Sequence, residues 1–299
     1  SGGVNRADSV GEELAGKGIN VSRGLHLAGI KAPGVVPIGN DDPNVLERTG
    51  SSFLIPLWVT GTLRVSTTIL DRHGTTTKVN EAPRPLSVED WNQLIELTVK
   101  TVREQGAKWL VVAGALPVYK GSGGYVDLEP LFEKMNALDV RVALDTSGAP
   151  LANWARKGSA ALMKPNAEEL ASCVGRNLSN VGDVIDAARE LCSWGVECVL
   201  ASLGPDGLIA VTKDSAWAAR TPPVKVINTV GAGDATLAGF LSAVAANSLP
   251  HAEVTDGVGF DVAKGVAEAV RWGAIAVTQP TSGLDNLDNL PAATVIAHP

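Results

Sequence analysis

A run of small residues, Asn228-Thr229-Val230-Gly231-Ala232-Gly233-Asp234-Ala235-Thr236, leads without a break into the apolar segment Leu237-Ala238-Gly239-Phe240. If that segment is a helix, the backbone N–H groups of Gly231, Ala232 and Gly233 lie at its N-terminus, where they lack intrahelical partners and the helix dipole is positive. Glycine lets a phosphate come directly against such a backbone. Asp234 then stands on the first turn, beside the anion. A lone acidic residue there also stabilises a helix with no further role, so its chemical meaning comes from the Gly-x-Gly turn before it. A dinucleotide fingerprint would need glycine at position 236, where Thr236 stands, and that reading weakens.

Three further segments carry weaker signals. Ala15-Gly16-Lys17-Gly18-Ile19-Asn20-Val21-Ser22-Arg23, read from Gly11, superficially fits G-x-x-x-x-G-K. A P-loop then needs a Ser or Thr hydroxyl for magnesium, and position 18 is glycine. What remains is a glycine-framed Lys17 followed by Asn20, at the start of a helix expected to run to about Gly29: a charge and an amide for a hydroxyl-rich anion, or a solvated turn. Lys164-Pro165-Asn166-Ala167-Glu168-Glu169 follows a short strand and opens a helix. Asn166 and Glu169 form a capping-box pair, which local sequence favours. The functional alternative gives Glu169 to a hydrated magnesium and Asn166 to a phosphate oxygen. Ser202-Leu203-Gly204-Pro205-Asp206-Gly207 closes a strand with a turn, either an ordinary hairpin or a nucleotide wall.

Other chemistries lack their residues. There is no G-x-S-x-G elbow and no H-E-x-x-H, and the four histidines (His26, His73, His251, His298) are scattered. Cys173, Cys192 and Cys198 are an odd, sparse set. They read as small buried hydrophobes and as free thiols of a reducing cytoplasm.

The elements that must position these residues follow from periodicity. Strands are expected at Leu110 to Ala113, Val140 to Leu144, Ala161 to Met163 and Cys198 to Ser202. Helices are expected around Leu128 to Leu138, Ala167 to Val174 and Val184 to Trp194. Such alternation implies parallel pairing through right-handed crossovers, with helices on both faces: a doubly wound α/β core. Leu63 to Leu70 and Thr75 to Asn80, joined by Asp71-Arg72-His73-Gly74, read instead as a β-hairpin without a covering helix. It is expected to form a small β lid over the strand ends, joined by Val4 to Glu12. The expected division is a core of residues 13–55 and 83–299 and a lid of 1–12 and 56–82. A length of 299 residues suffices for a large core.

Apolar residues make up 45% and charged residues 19%, which excludes a disordered chain. A net charge of −7 gives no general attraction for nucleic acid or an anionic membrane, so cations facing an anionic ligand must be local. The most apolar long stretch, Ala235 to Ala246, is broken by Thr236 and Ser242 and is too short to span a bilayer. The chain opens on Ser1-Gly2-Gly3 without methionine or a signal-peptide pattern, and further sequence is expected upstream.

Together these segments resemble the ribokinase-like carbohydrate kinases of the phosphofructokinase B group. One family signature runs from Ala15 through Gly16, Gly18, Asn20 and Ser22 to Gly29 and Gly39, the other from Asn228 to Leu241. Gly16-Lys17-Gly18-Ile19-Asn20, Thr75 to Glu81, Leu144-Asp145-Thr146-Ser147-Gly148 and Lys164-Pro165-Asn166 are most similar to the bacterial 1-phosphofructokinases, with tagatose-6-phosphate kinases next. The resemblance implies a three-layer α/β/α ribokinase-like core with a mainly parallel sheet and a β-sheet lid. It implies Asp234 as catalytic base, with the amides of Gly231, Ala232 and Gly233 as anion hole for the γ-phosphoryl group. It assigns Gly16, Lys17 and Asn20 to the sugar, and Arg64 and Lys78 on the hairpin to the substrate phosphate. Lys164 and Asn166 fall to the nucleotide phosphates, and Ser202, Gly204, Pro205, Asp206, Gly207 and Thr229 to the nucleotide site. Glu169, with Asp145 less directly, falls to hydrated Mg²⁺.

The pattern has departures. The family's opening core strand, with its Asn-Pro-x-x-Asp segment, is expected before Ser1. Ala115 stands where many relatives have a serine, and Asn228 replaces a common aspartate. The implied activity is transfer of the γ-phosphoryl of MgATP to fructose 1-phosphate, giving fructose 1,6-bisphosphate. Tagatose-6-phosphate or fructose-6-phosphate kinase activity, or a catalytically silent sensor of sugar phosphate or nucleotide, are the alternatives. The expected partners are small molecules, with neither nucleic acid nor membrane, and the unpaired lid edge is an expected homodimer contact.

Overall fold

A computed structural model of the chain describes residues 6–70, 76–245 and 258–298. Helix α1 (Lys17–Leu27) is followed by strand β1 (Gly34–Gly39), the one-turn helix α2 (Val45–Arg48) and strand β2 (Leu54–Val59), which pairs in parallel with β1. Strands β3 (Ser66–Leu70) and β4 (Thr76–Asn80) form an antiparallel hairpin of their own. Helix α3 (Val88–Gln105) has both ends written in local chemistry. Ser87 and Asp90 cap its start reciprocally, and Gly106 at φ 58° ends it in the left-handed conformation.

The alternation read from periodicity comes next. Strand β5 (Trp109–Ala113) leads to α4 (Glu129–Ala137), β6 (Arg141–Asp145), α5 (Gly148–Lys157) and β7 (Leu162–Met163), then α6 (Ala167–Val174), α7 (Val181–Ser193) and β8 (Cys198–Ser202). The four strands pair in parallel in that order. Strands β9 (Leu208–Thr212) and β10 (Ala216–Arg220) continue the sheet by antiparallel pairing. After α8 (Ala232–Val244) and α9 (Val262–Ala276), strand β11 (Thr294–His298) pairs antiparallel with β10 and completes a seven-stranded sheet.

Alternate residues of the strands enter different cores, which makes the layers. Val142 and Leu144 of β6 join Met163, Val199 and helices α3 to α7 on one face. Ala143, Leu162, Cys198 and Leu200 join α1, α8 and α9 on the other. The architecture is three-layer α/β/α, as expected. Because β6 is covered on both faces, all five of its residues are buried. Helix α8 is nearly all apolar and buried on every side, since the sheet, α1 and α9 surround it. A Cβ at Gly239 would collide with Trp272, so glycine sets the close approach of α8 and α9. The three cysteines are buried and free. Burial pushes the Cys173 and Cys192 thiols up to about 11 and about 12, so they are inert at neutral pH.

The small sheet differs from expectation in two places. Pro56 to Val59, within the range given to the lid, belong to β2 and follow β1 in register. The reason is a separate apolar cluster of Leu14, Ile38, Val45 and Leu54, which holds β2 to β1 and away from the hairpin. Residues 6–12 form no strand and do not extend the hairpin. They are exposed, with Val10 at 90%, and Glu12 pairs with Arg48 instead. The turn residues 71–74 lie outside the described residues.

Candidate active site

The carboxyl ends of the parallel strands open into a cleft of about 2350 Å³. It runs from Gly16 and Lys17 past Asn20 to Gly231, Gly233 and Asp234. It also reaches Lys164, Asn166, Glu169 and Ser202, and Arg64 and the β3 residues line it from the hairpin. The cleft also passes between 34–38 of β1 and 109–113 of β5.

Gly231 caps α8 at φ 79°, a left-handed conformation that favours glycine. A Cβ there would also collide with the carbonyl oxygen of Ser282. The first-turn amides that follow belong to Ala232, Gly233 and Asp234. Asp234 is 6% exposed, and its Oδ2 accepts a hydrogen bond from Asn20 Nδ2 at 2.8 Å. Packing of α1 against α8 makes this contact: Val21 and Leu25 share a core with Leu237 and Leu241. Burial raises the Asp234 carboxyl to about 6. The Asn20 hydrogen bond opposes the rise, the charge of Asp145 adds to it, and Lys164 and Lys17 also work against it.

Asp145, at the end of β6, is fully buried and engaged by two cations. Lys17 Nζ lies 2.8 Å from Oδ1 and Lys164 Nζ lies 3.3 Å from Oδ2. Burial works to lower the Lys17 ammonium, but Asp145, together with Glu169 and Asp234, outweighs it and the net shift is upward, so Lys17 is a cation at neutral pH. A Cβ on Gly233 would lie 3.2 Å from Lys164 Nζ, which places that ammonium beside the α8 turn. The local cations anticipated for an anionic ligand are therefore here.

Asn166 and Glu169 adopt the capping box. Glu169 N donates to Asn166 Oδ1 at 2.8 Å and Asn166 N donates to Glu169 Oε2 at 2.9 Å. Both still line the cleft, so the structural role holds them in place without removing them from the site. Asn166 bridges to Ser202 at the end of β8. Gly204, Pro205, Asp206 and Gly207 form the β8–β9 turn, a hairpin in fact, and do not line the cleft. Thr229 is exposed outside it. Arg64 is exposed, its Nε donating to the Glu81 carbonyl at 2.7 Å. Lys78 pairs with Thr68 in the hairpin register, and its side chain lies outside what is described.

Two contacts shape the loop behind Gly231, of which only position 228 stood out in the sequence. Glu13 Oε1 accepts from Ser282 N at 3.2 Å and also from its hydroxyl, tying the approach to α1 to the loop behind Gly231. Asn228 Nδ2 donates to the carbonyls of Pro280 and Thr281 at 3.1 and 3.0 Å, which an aspartate could not do. The departure at position 228 thus has a structural use in shaping the same loop.

As to magnesium, no cluster of three or more metal-ligating side chains exists among the described residues. Asp145 is ion-paired with the two lysines. Glu169 alone of the predicted pair presents a carboxylate to the cleft, which fits a hydrated ion arriving on phosphates and not a protein-built cage. The site can thus hold an anion at the α8 turn, balance it with Lys164, and offer a buried carboxylate to a hydroxyl beside it.

The profile of the family described as pfkB family carbohydrate kinase matches residues 1–289. A 1-phosphofructokinase of Haloferax volcanii is 33% identical over 247 residues, covering 81% of this chain and 76% of that protein. A 1-phosphofructokinase of Bacillus subtilis is 31% identical, covering 81% and 78%. Among solved structures, phosphofructokinase-2 of Escherichia coli with substrates and products superposes with a TM-score of 0.76 at 26% identity, over 93% of this chain and 87% of that one. A tetrameric inhibited form of that enzyme is also similar, with a TM-score of 0.77 at 25% identity over 96% and 90%.

Proposed function

Because the chain belongs to the pfkB family of carbohydrate kinases, we propose that it transfers the γ-phosphoryl group of ATP to the C6 hydroxyl of fructose 1-phosphate. The observation that carries phosphoryl transfer is the buried Asp234 beside the Gly231–Gly233 turn, in a cleft continuous with Lys17. The likeness to 1-phosphofructokinases over four-fifths of the chain supports the acceptor.

In this reading the sugar oxygen O6 bonds to the γ-phosphorus as the bond from that phosphorus to the β,γ-bridging oxygen breaks. ADP leaves with the electron pair and the hydroxyl proton passes to Asp234. Little deprotonation is needed early in a loose transition state, so Asp234 serves first to orient the hydroxyl. The amides of Gly231, Ala232 and Gly233 hold the equatorial oxygens, and Lys164 balances their charge. Asp145 holds Lys17 and Lys164 in place. Gly16, Lys17, Asn20, Arg64 and Lys78 bind the sugar phosphate. Asn166, Ser202, Thr229 and the Gly204–Gly207 turn lie toward the nucleotide, the turn and Thr229 from outside the cleft as it stands. Glu169 is the residue that would hold a hydrated magnesium, which would supply further neutralisation of phosphate charge. The hairpin lines the cleft through β3 and acts as the lid that excludes water during transfer.

The hairpin also presents Val65, Ile69 and Val79, each more than half exposed, as a homodimer contact. No described helix is long and apolar enough to cross a membrane. Free thiols and a soluble anionic substrate fit the cytoplasm. The reading is tested by ADP release from MgATP with fructose 1-phosphate, tagatose 6-phosphate, fructose 6-phosphate or ribose. The highest kcat/KM is expected for fructose 1-phosphate. Preference for another acceptor would reassign the substrate, and release with none would favour a silent sensor.

A further inference from the structure

Sequence assigns Asn20 to the sugar, yet its side-chain hydrogen bond goes to the acid itself. It sits in the first turns of α1, 5% exposed, and donates to Asp234 Oδ2 across 214 residues of sequence. This is the one direct hydrogen bond to that carboxylate among the described residues. An ionised carboxylate only accepts, so the amide must present its nitrogen. The same nitrogen lies 3.5 Å from where a Cβ on Gly231 would be, so it stands at the junction of acid and anion turn. Asn20 Oδ1 is buried and has no protein partner, while both residues line the cleft.

We propose, on the reading of Asp234 as the group that takes the acceptor hydroxyl, that Asn20 is its positioning residue, holding Oδ2 so that Oδ1 is left for the incoming hydroxyl. The charged groups around Asp234 cannot replace it. Lys17 from α1 and Lys164 after β7 are both ion-paired with Asp145 at the end of β6, whose negative charge opposes theirs. Glu169 from α6 acts on Lys17 and adds no positive charge. The amide is therefore the contact that both fixes the carboxylate rotamer and favours its ionised form, as the direction of its effect on Asp234 agrees.

A residue that only bound sugar would change KM for the sugar phosphate and leave the acid limb of the rate profile alone. Asn20→Ala is expected to lower kcat by about tenfold or more, the scale of one charge-assisted hydrogen bond, and to move the acid limb up by about one pH unit. KM for ATP should hold. Asn20→Asp preserves the shape and so guards against misfolding; its second carboxyl should move the limb up further. Independently of activity, the ¹³C carboxyl resonance of Asp234, assigned by its loss in Asp234→Asn, should titrate higher in both variants than in the wild type. Equal midpoints in all three, with the kinetic change confined to KM of the sugar phosphate, would overturn the proposal. A wild-type chain that phosphorylates no sugar would instead remove the kinase reading, and this inference with it.

Discussion

Asp234 is a carboxylate that folding makes a weaker acid, and two consequences can be measured. The ionised form is the one that accepts a proton, so turnover should fall on the acid side with a midpoint near the value of about 6 that burial gives it. The stability effect has the opposite sense. A raised native value means the folded chain holds the proton more tightly than the unfolded one, so the contribution is fully present below the ordinary value of 3.8 and lost as pH rises through about 6. Asp234→Asn escapes that loss, and should be more stable than wild type at pH 8 by up to about 3 kcal/mol in urea unfolding, the gap closing below about pH 4. An unchanged gap across pH would contradict the burial argument. The same variant should lose about 10²-fold or more in kcat while binding ATP normally by calorimetry. At this scale the sequence was informative where chemistry is local: Gly231, Gly233, Asp234, Lys17 and Asn20 all meet in one cleft. It was silent on the lysine pair around Asp145, because that contact joins Lys17 and Asp145 across 128 residues and depends on the fold.

Elements decide whether those side chains meet. The α8 turn needs a left-handed residue without a side chain, and Gly231→Ala must both strain the backbone and displace Ser282. It should cost about 1–3 kcal/mol in stability and lower kcat more than it raises either KM. The hairpin makes a different prediction. Arg64 lines the cleft from the residues leading into β3, so Arg64→Ala should raise KM for the sugar phosphate more than KM for ATP; equal effects would deny it a role in sugar-phosphate binding. Capped elements such as α6 were legible to the residue, since Asn166 and Gly175 bound it by neighbours alone. The β1–β2 pairing was not legible, because its cause is a cluster that gathers Leu14, Ile38, Val45 and Leu54 from four separate segments. The antiparallel β9–β11 edge was likewise hidden, since pairing of β10 with β11 spans the whole of α8 and α9.

The molecule as a whole is a sandwich whose parallel strands deliver Asp145, Lys164 and Ser202 to one edge, while α1 and α8 bring Asn20 and Asp234 to the same place. That architecture was legible as a class because buried strands and amphipathic helices alternate along the chain, and the two faces of β6 confirm it through Ala143 on one side and Val142 on the other. The hairpin stands outside the sandwich and exposes Ile69 and Val79. Light scattering at micromolar concentration should report a dimer, and Val79→Lys should shift it toward monomer; a wild-type monomer would contradict the lid contact. The central claim is that the glycine turn and Asp234 together pass a phosphoryl group to a sugar hydroxyl and exclude water. ³¹P NMR of wild-type chain with MgATP and fructose 1-phosphate tests it most directly. One new phosphomonoester at C6 should form for each ADP, with little inorganic phosphate. Inorganic phosphate in place of the bisphosphate, or undiminished bisphosphate formation by Asp234→Asn, would contradict the account.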